Sequence, residues 1–126
     1  AFVAARYGLG NLTAVLDWNG LQQYGWATES GYGTLERMPP QENPVGRWQA
    51  FGWRTLEIDG HDFDQIVEAC TEAKESDGTP TIIIARTVKG KGISYMENDY
   101  NWHAQPPTDE DLRLAQEELA GQEKAL

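Results

Sequence analysis

Residues 81–85 read Thr-Ile-Ile-Ile-Ala, a continuous run dominated by β-branched side chains. Two heavy atoms on each Cβ restrict χ1 and favour extended backbone. Apolar side chains fall on both alternating faces, so the strand needs cover on both sides, as in a parallel sheet held between helix layers. Gly78 and Pro80, just upstream, stop any preceding helix. This segment alone directs a chain of 126 residues toward an α/β arrangement.

The flanking segments agree. Ala1 to Tyr7, short and Ala-rich, reads as the end of a helix terminated by Gly8 and Gly10. Leu12 to Leu16 reads as a buried strand, running into the turn-rich Asp17-Trp18-Asn19-Gly20. Leu21 to Gln41 shows no steady period and contains Gly25, Gly31, Gly33, Pro39 and Pro40; it reads as a long loop. Asn43-Pro44 matches an N-cap followed by proline at the first helical position, with a helix to about Phe51. Arg54 to Ile58 alternates polar and apolar residues, a strand pattern. Asp62 is placed to cap a helix whose apolar stripe is Ile66, Val67, Cys70 and Ala73. Thr108 with Asp111 resembles a capping box ahead of a stripe of Leu112, Ala115 and Leu119. The order predicts an α/β fold, a mainly parallel sheet flanked by helices. Ligands of such sheets sit beyond the carboxyl ends of the strands. Those ends lead into Asp17 to Leu21, Asp59 to Asp62 and Thr87 to Gly92, three loops on one rim.

Charge and cysteine content narrow the function. Twenty acidic residues against ten basic ones leave a net charge of −10. That opposes general binding to nucleic acid or to anionic membranes, which needs a positive field. No apolar run reaches the roughly 20 residues of a membrane span, and no signal-peptide pattern opens the chain. A single cysteine, Cys70, rules out an internal disulfide framework and a cysteine-cluster zinc site, and fits a reducing, cytoplasmic setting. The chain opens Ala1-Phe2-Val3-Ala4-Ala5 without methionine, as though cut from something longer; a processed subunit and a trimmed chain are the other readings.

Residues in these loops, and one histidine beyond them, could carry chemistry. The amide oxygen of Asn19 with a neighbouring backbone carbonyl suits a hard cation such as Mg²⁺ or Ca²⁺, and the same pattern fits a plain turn. Lys89-Gly90-Lys91-Gly92 could meet a phosphate with ammonium and backbone donors, or be a solvated turn; it is not a Walker A sequence. His103, in Asn101-Trp102-His103-Ala104-Gln105-Pro106, can exchange protons near neutral pH, or be a surface loop histidine. Asp62 reads as structural, and His61 is left open between a hydrogen-bonding and an incidental role. No nucleophile has a convincing local signature.

Taken in order, these segments resemble the transketolase family of thiamine-diphosphate enzymes over most of the chain. Gly10-Asn11-Leu12 through Asp17-Trp18-Asn19-Gly20-Leu21 to Gly25 is similar to the second half of the family's cofactor motif. Arg47 to Trp53 with Asp59-Gly60-His61-Asp62, then Pro80 to Gly92, then Trp102-His103 follow in register. The resemblance implies that the Asn19 side-chain oxygen and the Leu21 carbonyl ligate Mg²⁺ or Ca²⁺ beside the diphosphate. It implies that Lys89 belongs to the cofactor-binding set and that His103 contacts cofactor and substrate and assists proton transfer. The implied activity is transfer of a two-carbon ketol unit from a ketose to an aldose, with sugar phosphates or related sugars as substrates.

The family motif opens with Gly-Asp-Gly further upstream, and its aspartate is another metal ligand. This chain lacks that sequence. Residues 1–126 are therefore expected to form one domain, the C-terminal portion of the thiamine-diphosphate-binding domain. Another segment or chain would supply the upstream half, and a pyrimidine-binding subunit the activating glutamate. Glu29, Glu36 and Glu42 match no such motif. Gln23 replaces an apolar residue of many relatives. The Lys89 loop and Ala104 lean toward split subunits and deoxyxylulose-phosphate synthases, whereas Asp17-Trp18-Asn19-Gly20-Leu21 leans toward transketolases. The alternatives are a synthase-like subunit joining pyruvate to an aldehyde, or a degenerate interaction subunit.

Overall fold

The computed structural model describes residues 1–21, 27–28, 31–32 and 43–123. The elements are α1 (Phe2–Arg6), β1 (Thr13–Trp18), β2 (Ala27–Thr28), β3 (Gly31–Tyr32), α2 (Pro44–Ala50), β4 (Arg54–Asp59), α3 (Phe63–Lys74), β5 (Thr81–Arg86), a 3-10 turn (Tyr100–His103) and α4 (Asp109–Glu123). They fall into two compact units: among the described residues, 1–20 with 43–87 form the first, and 21, 27–28 and 31–32 with 88–123 the second.

The first unit contains the sheet, in the order β1-β5-β4, all parallel. The run 81–85 is its centre and is buried along its length, as the two-face argument requires. Ile82 and Ile84 point into one layer with Trp53, Ala4, Ala14, Leu16 and Trp48. Ile83 points into the other, against Ala69, Ala73, Leu56 and Ile58. Each such isoleucine contributes roughly 1.5–3 kcal/mol of burial, so this strand is the main apolar anchor of both layers. Trp53 meets Trp48 edge to face at 4.9 Å. Its buried indole N–H donates to the Ala1 carbonyl at 2.9 Å, which ties α1 to the start of β4.

Local signals set the helix ends. Asn43 accepts from the Gly46 N–H at 2.8 Å, with Pro44 opening α2. Asp62 accepts from the Asp64 and Gln65 N–H groups and caps α3. Arg54 reaches from β4 to the Glu72 carboxylate and to the Glu72 carbonyl, clamping α3 to the sheet.

Two burial expectations are corrected. β1 is not buried on both faces: its exposure alternates, and Val15 remains 64% exposed. The α3 layer covers Ile83, Leu56 and Ile58 and does not reach Val15, which faces the same side one strand over. In α3 the buried line is Ala69 and Ala73 with Ile66 half-buried, while Val67 and Cys70 are exposed. Each helical residue advances about 100°, so a stripe centred on the two alanines turns Val67 and Cys70 away. The small alanines let the helix lie close over Ile83.

The second unit contains β2 and β3, a short antiparallel pair, and the segment from Val88 onward. The long loop predicted over Leu21 to Gln41 includes that pair; apart from Leu21 the rest of it, with Gln23, Glu29 and Glu36, and Glu42 just beyond, lies outside the described residues. The Thr108–Asp111 box forms as expected, with reciprocal bonds of 2.8 and 3.2 Å. Of the α4 stripe, Ala115 is buried, and Leu112 and Leu119 stay about half-exposed. None of the described helices is long and apolar enough to cross a membrane.

Candidate functional site

The strand registers bring Trp18, Arg86 and Asp59 side by side, so β1, β5 and β4 end at one level. The loops leaving β1 and β4 and the residue following β5 thus share one rim. Gly60 N–H donates to the Arg86 carbonyl at 2.8 Å and Thr87 N–H to the Trp18 carbonyl at 3.5 Å, stitching that rim together.

Asn19 is half-buried just past the end of β1. Its Nδ2 donates to Asp17 Oδ2 at 3.3 Å, and the other Asp17 oxygen accepts from the Thr87 hydroxyl. Gly20 follows with φ +74°, a left-handed turn that glycine adopts without a Cβ penalty. Leu21 comes next and is half-buried. Around the β4 loop, Asp59 Oδ1 accepts from the His61 N–H at 2.9 Å and the Gln65 side chain bonds the Asp59 N–H. Asp62 has its carboxyl held below the usual range, first by the Gln65 N–H and then by the Gln65 side chain. It is committed to capping α3, the structural role its position predicts.

Lys89 and His103 lie in the second unit. The turn that starts at Lys89 is closed on itself. Lys91 N–H donates to Val88 O, Gly92 N–H to Glu97 Oε1, Ile93 N–H to Gly90 O, and Ser94 N–H to the Glu118 carboxylate. These backbone donors are already used, and Lys91 pairs with Glu97 at 3.8 Å. Half of the Lys89-Gly90-Lys91-Gly92 backbone donors, those of Lys91 and Gly92, are thus engaged within the second unit. His103 ends the 3-10 turn and is exposed. Its neighbour Trp102 donates to the Tyr95 carbonyl at 3.2 Å and packs on the Tyr95 ring at 5.4 Å. The Tyr95 hydroxyl donates to the Asp111 carbonyl at 2.6 Å. The imidazole is thus carried on a turn anchored to α4. Burial, followed by the charges of Asp111 and Glu118, pushes the Tyr95 phenol up.

The family described as "Transketolase, thiamine diphosphate binding domain" matches residues 1–125. The chain belongs to this family. Among transketolase-family relatives, "Transketolase-like protein 2" of Bos taurus is 38% identical over 120 residues, covering 92% of this chain and 18% of that protein. One subunit of the apulose-4-phosphate transketolase of Phocaeicola vulgatus is 35% identical, covering 95% of this chain and 40% of that protein. A crystal structure of transketolase from Campylobacter jejuni superposes with a TM-score of 0.74 at 29% identity, over 94% of this chain and 17% of that one. The chain therefore spans well under half the length of these transketolase relatives. The parallel three-stranded sheet flanked by helices matches the fold of that solved transketolase.

The family binds thiamine diphosphate. On this chain the donors near Asn19 suit the cation that would accompany it. An amide oxygen whose nitrogen is turned to a carboxylate, and a backbone carbonyl two residues on, are hard oxygen ligands. Among the described residues no group of three or more His, Cys, Asp or Glu could hold a metal by itself. Sequence reasoning assigned no role to Asp17 or Thr87. The Asp-x-Asn spacing was the available signal for the first, and nothing local marked the second.

Proposed function

We propose that this chain is the metal- and diphosphate-holding part of a transketolase-type transferase that moves a two-carbon ketol unit from a ketose to an aldose. The observation that carries this reading is Asn19 on the carboxyl rim of a parallel sheet, in a chain matched to the thiamine-diphosphate-binding family over residues 1–125. In this reading the Asn19 amide oxygen and the Leu21 carbonyl ligate Mg²⁺ or Ca²⁺, which neutralises diphosphate in a chain of net charge −10. Lys89 adds a cation toward the same anion. His103 holds or moves a proton at the substrate oxygen. Thiamine diphosphate, when bound, supplies the nucleophilic carbon for breaking and making the C–C bond.

The assembly follows from the same reading. Residues 1–126 act as the C-terminal portion of one cofactor-binding domain. A chain or segment with the Gly-Asp-Gly motif completes it, and a pyrimidine-binding subunit supplies the activating glutamate. The Phocaeicola vulgatus relative is by name one subunit of a transketolase, which supports a heteromeric enzyme. Sugar phosphates or related ketoses and aldoses are the substrates, and the lone cysteine supports a cytoplasmic setting. Lys89-Gly90-Lys91-Gly92 and Ala104 favour, as a second reading, a synthase-like subunit that takes pyruvate as donor.

The test is an equilibrium titration of thiamine diphosphate into the chain mixed with its complementary subunits, with and without Mg²⁺. Binding should depend on Mg²⁺ and weaken at least tenfold in Asn19→Ala. Product analysis with ketose-phosphate and pyruvate donors separates the two readings. Absence of cation-dependent binding in the complete assembly would remove the proposal.

A further inference from the structure

Asp17 is held through both of its oxygens. Oδ2 accepts from the Asn19 amide nitrogen at 3.3 Å and Oδ1 accepts from the Thr87 hydroxyl. Thr87 stands directly after β5, so its hydroxyl joins the end of the central strand to the end of β1, beside the backbone bond to Trp18. Its methyl is fixed as well, since Thr87 Cγ2 fills the space that a Cβ on Gly60 would enter. The hydroxyl cannot wander without disturbing that contact.

A carboxylate has acceptors only, so the branch of the Asn19 amide that faces Asp17 must be the NH₂. The amide is planar, and its oxygen is thereby presented on the other branch. The terminal torsion of an asparagine is broad and nearly two-fold, so nothing intrinsic to Asn19 prefers one orientation. A flipped amide would offer an NH₂ where a hard cation needs an oxygen. Asp17 therefore favours this orientation, and Thr87 in turn holds Asp17.

We propose that Asp17, steadied by Thr87, is a positioning residue that fixes the Asn19 amide with its oxygen toward the divalent cation. The proposal rests on the reading of Asn19 as a metal ligand. It adds that the ligand is competent only while the Thr87–Asp17–Asn19 chain of hydrogen bonds is intact. Partners that orient a ligand in this way are typically worth about 10–100-fold in metal affinity.

The experiment measures the apparent dissociation constant of Mg²⁺ in the complete assembly at fixed thiamine diphosphate, by calorimetry, for wild type, Thr87→Val, Thr87→Ser and Asn19→Ala. Valine keeps the methyl against Gly60 and removes the hydroxyl; serine keeps the hydroxyl. Thr87→Val should bind Mg²⁺ roughly tenfold more weakly, with Thr87→Ser restored to within about twofold of wild type. A purely structural role for the methyl would give the opposite ranking. Thr87→Val binding as tightly as wild type, or Thr87→Ser as weakly as Thr87→Val, would overturn the positioning role. If Thr87→Val does not fold, Asp17→Asn carries the same test, because its amide accommodates either orientation of Asn19; wild-type affinity there would likewise overturn it. Loss of affinity in Asn19→Ala alone leaves the ligand reading standing and sinks only the positioning role. Unchanged affinity in Asn19→Ala removes both.

Discussion

Gly60 lies against Thr87 so closely that a Cβ added at residue 60 would sit 2.4 Å from Thr87 Cγ2, with Ala85 Cβ and the Arg86 carbonyl oxygen each at 3.1 Å. The rim has no room for a side chain between the end of β4 and the residue that follows β5. Gly60→Ala should destabilise the fold by about 1–3 kcal/mol, the usual cost of overpacking. It should also displace the Thr87 hydroxyl that bonds Asp17. Thermal or urea unfolding checks the first effect. A melting temperature equal to wild type would show that the rim gives way more easily than its contacts indicate.

Asp62 ties part of the acid response of the protein to α3. Its carboxyl is held below the ordinary value of 3.8, first by the Gln65 N–H, then by the Gln65 side chain, with a further contribution from the Asp64 N–H. A group whose folded pKa is depressed contributes stability above its unfolded value, and that contribution disappears as the pH falls through the folded value. Asp62→Asn retains a capping oxygen and removes the ionisation. Wild type should therefore melt a few degrees higher than Asp62→Asn at pH 7, and the gap should close below the folded-state pKa. A gap that is constant across this range would mean that the charge of Asp62 contributes nothing.

Much of this arrangement was readable from local chemistry. The β-branched run at 81–85 needed two covered faces and has them. Asn43, Asp62 and the Thr108–Asp111 pair announced helix starts because capping depends on residues only two to four positions apart. The parallel arrangement of the strands then put Asn19 and Asp59 on one rim. What escaped was tertiary. Whether a layer reaches Val15 depends on where α3 lies, not on β1 itself. The apolar residues Val67 and Cys70 mimic a stripe that two alanines actually supply. Asp17 and Thr87 are 70 positions apart, so no window along the chain could pair them. The glycine-lysine turn looked open to an anion, yet the Lys91 and Gly92 amides are taken by the Val88 carbonyl and the Glu97 carboxylate.

Thr81 is a polar residue at the start of the most apolar strand. Its N–H donates to the Leu12 carbonyl at 3.0 Å, but its fully buried hydroxyl has no hydrogen-bond partner among the described residues. An unpaired buried hydroxyl carries a desolvation cost, and valine replaces it at nearly the same volume. Thr81→Val should raise stability by about 1 kcal/mol and leave cofactor affinity unchanged. Destabilisation in a denaturant titration would reveal a partner for the hydroxyl that these contacts do not include.

His103 offers the sharpest separation of chemistry from folding. The ring is exposed, and the turn that carries it is held by Trp102 on Tyr95 and by Asp99 accepting from the Asn101 N–H at 2.9 Å. None of those contacts uses the imidazole, so His103→Ala should leave the melting temperature and the Tyr95–Trp102 packing intact. If the imidazole moves a proton at the substrate, turnover in the assembled enzyme should fall by roughly 10²-fold or more. If Asn19 ligates Mg²⁺, the affinity for that ion should stay at its wild-type value. Turnover equal to wild type would take His103 out of the reaction, and a parallel loss of melting temperature would assign it to folding instead.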